Sequence, residues 1–135
     1  MIAIIVPGTP IAKKRPRFFR RGNFVGTYDP QHTEEGRFLL LVREQFKQAP
    51  LTGSLRLSCG FYMPIPQSTS KKKRLAMLNE EIRPAKKPDM SNLIKFVEDC
   101  LNEIVWIDDN QIVSYGAMEK FYSEDPRTHI EIERI

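Results

Sequence analysis

Two groups of acidic and polar side chains are the part of this sequence that could do chemistry. Asp89 is followed by Ser91 and Lys95, and the adjacent acids Asp108 and Asp109 come later in the chain. Converging carboxylates repel one another unless a hard cation neutralises them, and Mg²⁺ prefers oxygen ligands. Such a metal can activate water and stabilise charge on a phosphodiester, and a lysine beside it can stabilise the transition state. Metal-assisted phosphodiester hydrolysis is the chemistry that these residue types predict.

Each acidic group also has a plain structural interpretation. An aspartate at the start of a helix, such as Asp89, is often only a cap worth about 1 kcal/mol. Paired acids in a turn, such as Asp108 and Asp109, are often only solvated. The chemical interpretation requires the chain to fold back after the helix so that Asp108 or Asp109 faces Asp89. Both interpretations are open at this point.

An amphipathic helix must position the first group. Apolar residues recur with helical spacing at Leu93, Phe96, Val97, Cys100, Leu101 and Ile104. The opposite face carries Ser91, Asn92, Lys95, Glu98, Asp99 and Asn102. Residues four or seven apart stack along one side of a helix. Ser91 and Lys95 are therefore predicted to share a side.

The remaining elements predict an α+β fold. Leu55, Leu57, Cys59, Phe61 and Met63 alternate with polar residues, which predicts a half-buried strand over 51–63. Other strands are predicted over 1–6, 23–28, 111–121 and 128–135, and helices over 29–48 and 71–79, the second capped by Ser70. Residues 13–21 are predicted to be extended or a loop because Pro16 disfavours a helix. We expect one domain over 1–135, a mixed β-sheet with helices packed against it.

Charge is unevenly distributed along the 135 residues. Residues 1–95 contain 18 Lys and Arg against 7 Asp and Glu, whereas residues 96–135 contain 3 against 10. A cationic surface attracts polyanions by releasing their counterions. An acidic cluster beside it would repel phosphate unless a divalent cation bridges the two. The polarity therefore favours a nucleic-acid partner together with a metal.

The composition also favours a cytoplasmic protein. The apolar run over 1–6 is too short for a signal-peptide core or a membrane span. Cys59 and Cys100 lie far apart and form no CxxC pair, so a reducing compartment is expected. No membrane partner is predicted.

Two basic segments are predicted to contact DNA phosphates, with two lysines beside Asp89 clamping the strand to be cut. The predicted contacts are Lys13, Lys14, Arg15, Arg17, Arg20, Arg21, Lys71, Lys72, Lys73, Lys86 and Lys87. Phosphate contacts supply affinity rather than sequence preference. Phe18 and Phe19, flanked by cations, could wedge or stack against bases at an opened junction. The competing interpretation places at least one of them in the core.

In order and spacing, these motifs resemble the RusA family of Holliday junction resolvases, which is common in phages and prophages. The matching segments are Pro7-Gly8-Thr9-Pro10, Lys13-Lys14-Arg15-Pro16-Arg17-Phe18, Ser70-Lys71-Lys72-Lys73-Arg74, Lys87-Pro88-Asp89 with Asn92, Leu93 and Lys95, and Trp106 with Asp108-Asp109 and Gln111-Ile112. No segment is decisive alone. Together they cover most of the chain.

The resemblance implies a small homodimer that cleaves branched DNA with Mg²⁺ or Mn²⁺. Carried over by position, the catalytic residues are Asp89, Lys95 and Asp109, and the metal ligands are Asp89 and Asp109 with Asp108 nearby. Asp99 matches a position that is usually aspartate in the family. A four-way junction has approximate two-fold symmetry and its resolution needs two nicks, which agrees with a symmetric dimer.

One position departs from the family pattern. Ser91 stands where the family usually has a second catalytic aspartate. A hydroxyl can ligate Mg²⁺ but brings no charge. Other acids could compensate, activity could be reduced or depend on Mn²⁺, or the protein could bind junctions without cutting them. A basic RNA-associated protein is a further alternative, and it predicts no preference for branched DNA.

Overall fold

The computed structural model describes residues 1–14, 17–22, 24–28 and 32–135, with side chains for 1–14, 22 and 33–135. Its strands are β1 (Ile2–Pro7), β2 (Arg17–Arg21), β3 (Phe24–Tyr28), β4 (Leu55–Pro64), β5 (Ile112–Ser123) and β6 (Arg127–Arg134). Its helices are α1 (His32–Gln45), α2 (Lys71–Leu78) and α3 (Met90–Leu101), and a short 3₁₀ turn spans Asp109–Gln111.

A mixed four-stranded sheet, in the order β1-β6-β4-β5, forms the centre of the fold. Strand β4 is parallel to β5 and antiparallel to β6, and β1 is antiparallel to β6. Parallel neighbours need a crossover connection, and α2 and α3 lie in the one between β4 and β5. The α+β fold with a mixed sheet is confirmed.

The core lies between this sheet and the helices. Alternate residues of β4 are buried, as the period of two predicted. The apolar face of α3 is buried as well, and the ring of Phe96 meets Phe38 of α1 edge to face at 5.3 Å between centroids. Burying this face holds the polar face of α3 toward the surface.

One element prediction is made more precise by the structure, and another needs correction. For residues 17–21 the extended alternative is confirmed, since they form strand β2, which pairs antiparallel with β3 in a separate two-stranded sheet. The sequence of β2 does not alternate between apolar and polar residues, so periodicity does not predict a strand there. The strand forms by pairing with β3, and Gly22 between the two has φ 58°. Helix α1 ends at Gln45 rather than near Gln48. At this end, the Gln45 side chain accepts a hydrogen bond from Ile5 N at 2.9 Å and donates one to Ile5 O at 2.6 Å. The predicted start of this helix at residues 29 and 30 lies outside the described residues.

The other predicted elements are confirmed, with shifts of one or two residues at most ends and a start four residues later for β4. Helix α2 begins after Ser70, whose side chain accepts a bond from Lys73 N at 3.3 Å. In the described part of the chain, no helix is long and apolar enough to cross a membrane.

Candidate active site along helix α3

The polar face of α3 is a stripe that runs from one end of the helix to the other. Ser91, Lys95, Glu98 and Asn102 follow one another at intervals of four, three and four residues, which places them on one side. Ser91 and Lys95 are exposed, and Glu98 is half-buried. At 1.5 Å per residue, the stripe is about 17 Å long.

Asp89 lies at the start of the stripe with its carboxylate exposed. It occupies the N-cap position of α3, but its side chain makes no capping hydrogen bond. The interpretation of Asp89 as a simple helix cap is therefore wrong. Its backbone carbonyl accepts the first helical bonds, from Asn92 N and Leu93 N at 3.1 Å, so the carboxylate remains available for other chemistry.

Lys120 supports the loop that carries Asp89, and sequence reasoning missed it. From β5, its ammonium donates to Lys86 O at 2.7 Å and to Pro88 O at 2.8 Å. Burial lowers the pKa of Lys120, and the nearby Asp89 carboxylate opposes that shift. The signal that could have indicated this role is the place of Lys120 on the inward side of strand β5, in register with the buried Phe61.

Asp109 lies near the opposite end of α3, where a buried tryptophan orients it. Trp106 is fully buried, and its indole Nε1 donates to Asp109 Oδ1 at 2.7 Å. Burial raises the pKa of Asp109, the bond from Trp106 opposes this, and the charges of Asp99 and Asp108 add to the rise. The predicted packing role of Trp106 is confirmed, and the hydrogen bond is a second role that the sequence did not indicate.

Glu98 joins this acidic neighbourhood from the last turns of α3. Its Oε2 accepts from Tyr115 OH at 3.0 Å. Burial raises the pKa of Glu98, the bond from Tyr115 opposes this, and the charges of Asp109 and Asp99 raise it further. Asp99 itself pairs with Lys13 Nζ at 3.3 Å. The ammonium of Lys13, a predicted DNA contact, is thus engaged by a carboxylate of α3.

Asp108 caps the 3₁₀ turn that follows. Its Oδ1 accepts from Asn110 N at 3.0 Å. Gln111 completes a capping box, since its Oε1 accepts from Ile107 N at 2.8 Å and Asp108 N at 2.9 Å. The Gln111 amide also donates to Leu51 O and Gly53 O. One glutamine therefore ties the acidic turn to the chain entering β4.

The contacts of Asp89 and Asp109 lie at opposite ends of α3. Among the described residues, no three histidine, cysteine, aspartate or glutamate side chains converge as a metal site. The described residues of one chain therefore do not form a complete metal site. Mg²⁺ often takes only one or two carboxylates and completes its coordination with water and substrate phosphate, a mode that the exposed Asp89 end of the stripe would allow.

The predicted basic contacts fall into three groups. Lys71, Lys72 and Lys73 are exposed in the first turn of α2, and Lys86 and Lys87 are exposed in the loop before Asp89. Lys14 is exposed, with its ammonium 3.9 Å from Glu34. Arg15 and the side chains of Arg17, Phe18, Phe19, Arg20 and Arg21 lie outside the described part of the chain.

Comparisons with known proteins identify the family of this chain. The model of the family described as endodeoxyribonuclease RusA matches residues 7–133. An uncharacterized protein of Bacillus subtilis (strain 168), YqaN, is 34% identical over 138 residues, which span 99% of this chain and 96% of that protein. The match takes in both ends of α3, the basic α2 and the acidic turn. The chain therefore belongs to the RusA family of endodeoxyribonucleases, which act on branched DNA junctions.

Proposed function

We propose that this protein is a divalent-cation-dependent endonuclease that resolves four-way DNA junctions by paired symmetric nicks, in DNA recombination and repair in the cytoplasm. The observation that carries this proposal is the exposed Asp89 carboxylate, which makes no capping bond although it stands at the N-cap of α3. Lys86 and Lys87 stand beside it, exposed and able to hold phosphate. An exposed carboxylate that makes no capping bond and lies beside a cationic loop is suited to a metal and a phosphodiester.

In the proposed reaction, Asp89 and Asp109 are the essential carboxylates and Lys95 stabilises negative charge on the phosphate. Lys95 is exposed between the two ends of the stripe. Asp108 and Ser91 would assist as neighbouring oxygen ligands. We propose Mg²⁺ as the cofactor, with Mn²⁺ as a substitute, bound tightly only when DNA supplies phosphate oxygens.

We further propose that the active form is a homodimer, because one chain supplies one such set of residues and resolution needs two symmetric nicks. Light scattering of the purified protein tests this directly. A mass of about twice 15.7 kDa supports the proposal, whereas a monomer that still makes paired nicks contradicts it.

The first experiment compares a labelled four-way junction with a linear duplex, in Mg²⁺, Mn²⁺ and EDTA. Paired nicks in the junction alone, lost in EDTA and in Asp89→Asn and Asp109→Asn, are the expected result. Both variants should still bind the junction, because removing a carboxylate charge reduces its repulsion of phosphate. Equal binding of RNA hairpins and four-way junctions would favour an RNA-associated protein instead.

The second candidate function is branched-DNA binding without cleavage, favoured by Ser91 in place of the usual family aspartate. Ser91 is exposed on the same stripe as Lys95, so an aspartate would fit there without disturbing the core. Tight binding without nicks in any metal, converted to cleavage by Ser91→Asp, would establish this candidate. Nicks by the unaltered protein would exclude it.

A further inference from the structure

An apolar cleft lies where strands β4 and β5 end, on the side of the Asp89 loop away from the acidic turn. Its apolar lining is Met63, Pro64, Ile65, Pro66, Pro84 and Tyr122. Met63 and Pro84 are buried, whereas Ile65 and Tyr122 are only half-buried. An aromatic ring and rigid prolines exposed together form a flat apolar surface that water covers poorly.

The cleft also carries cations. Lys86 and Lys87 line the same cleft, and both are exposed. Residues 64–88 contain 7 Lys and Arg against 2 Asp and Glu, and the three lysines at the start of α2 follow shortly after Pro66. An apolar slot with a cationic rim matches the two parts of a nucleotide, a flat base and an anionic phosphate.

The cleft is continuous with the candidate active site. A second cleft, lined by Lys87, Pro88, Asp89 and Asn92, shares Lys87 with the apolar one. A third, lined in part by residues 9–12 and Lys14, shares Pro88 with the second. A strand lying along these clefts would pass from the apolar slot, over Lys87, to the carboxylate of Asp89.

We propose that the apolar cleft accepts one unstacked nucleobase of a branched DNA, whose neighbouring phosphates lie on Lys86 and Lys87. This inference rests on the proposed function, and it adds a base-binding subsite next to Asp89. Bases at a branch point are unstacked more readily than bases within a duplex, so a base-sized slot would favour branched substrates. The competing occupant of the cleft is a protein partner. The cationic rim argues against most protein partners.

The test is a thermodynamic cycle between the cleft and the DNA, measured by fluorescence anisotropy in EDTA so that no cleavage is required. A four-way junction carries single abasic sites at successive positions across the branch point. We expect one position to weaken binding by about tenfold and Tyr122→Ala to weaken binding of the intact junction by about tenfold. On the junction that lacks the base at that position, and on no other abasic junction, Tyr122→Ala should cause no further loss of affinity. Tyr122→Phe, which keeps the ring, should bind like the unaltered protein.

Salt dependence separates a base contact from a phosphate contact. Tyr122→Ala should leave the slope of log Kd against log salt unchanged, whereas Lys86→Ala should reduce its magnitude by about 1. If thermal unfolding shows that Tyr122→Ala does not fold, Ile65→Ala replaces it, because Ile65 lies in a loop and is only half-buried.

Unchanged junction binding by the cleft variants, or equal losses at every abasic position, would overturn the base-binding subsite and leave the proposed function standing. Failure of the unaltered protein to bind any branched DNA would overturn both.

Discussion

At the scale of single residues, the two proposed catalytic carboxylates are held in opposite ways. Asp89 makes no capping bond and is exposed, whereas one oxygen of Asp109 is bonded to a buried indole. The first can change its orientation when a ligand arrives, and the second is oriented beforehand. Preorganised polar groups cost little reorganisation during a reaction, so we expect Asp109 to depend on Trp106 more than Asp89 depends on any neighbour.

Replacing Trp106 by phenylalanine should separate orientation from packing. Trp106→Phe removes a hydrogen bond to a charged group, which should lower the free energy of unfolding by about 2 kcal/mol and reduce cleavage. Phe96→Leu is the matched control, since Phe96 is also buried but has no polar atom that could bond Asp109. Urea unfolding and junction cleavage are measured for both. Equal cleavage by the two variants at equal folded fraction would contradict an orienting role for Trp106.

Glu98 should make the stability of the protein depend on pH. Its pKa is raised in the folded state, mainly by burial, so ionisation of Glu98 costs stability as pH rises through that pKa. Glu98→Gln should therefore raise Tm at pH 7 in EDTA, by about 2 °C, and the gain should vanish below the ordinary glutamate pKa of about 4.3. Calorimetry across this range is the measurement.

Glu44→Gln, an exposed position on α1, is the control for removing one charge. A gain from Glu98→Gln that is the same at all pH values would show that the charge of Glu98 is not its cause.

At the scale of elements, the acidic turn depends on contacts distant in sequence. The turn is only three residues long, and such turns have poor internal hydrogen-bond geometry. The side chain of Gln111 supplies the missing support through four bonds to backbone groups, two of them near residue 52. The position of Asp109 is therefore set by the segment that enters β4 as well as by Trp106.

Gln111→Ala should loosen this turn. Losing the four bonds, some to groups that water can reach, should lower the free energy of unfolding by about 2 kcal/mol and reduce cleavage through Asp109. Asn110→Ala is the neighbouring control, because Asn110 is exposed and only its backbone bonds Asp108. Urea unfolding with a cleavage assay distinguishes them. If Asn110→Ala proved as costly as Gln111→Ala, the side chain of Gln111 would not be the tie.

At the scale of the whole molecule, charge separates into a cationic surface and an acidic neighbourhood at the end of α3. The cationic surface consists of the exposed lysines of α2 and of the Asp89 loop. The acidic neighbourhood consists of Glu98, Asp99, Asp108 and Asp109. DNA binding should weaken steeply with salt, because each phosphate contact releases counterions.

Lys72→Glu should weaken junction binding by about tenfold near physiological salt and reduce the magnitude of the salt slope by about 1. Lys47→Glu makes the same charge change just after α1, outside the predicted contacts, and should have a much smaller effect. Binding titrations at several salt concentrations provide the measurement. Equal losses in the two variants would mean that net charge, rather than the α2 surface, attracts the DNA.

Some features of this protein were determined by sequence alone because they depend on near neighbours. The helical spacing from Leu93 to Leu101 predicted α3 and its buried face, and the alternation from Leu55 to Met63 predicted β4. Ser70 predicted the start of α2. Periodicity and capping involve residues a few positions apart, so they can be read without knowing the fold. The family resemblance likewise depended only on the order and spacing of motifs.

Only the tertiary structure decided which of the polar residues meet. Tyr115 and Glu98 are 17 positions apart, Lys120 and Lys86 are 34 apart, and Gln111 and Leu51 are 60 apart. No periodic pattern connects such pairs, because their distances depend on how α3 packs across the sheet. The same packing places the contacts of Asp89 and Asp109 at opposite ends of one helix. The sequence therefore indicated the candidate side chains, and the fold determined how they are arranged.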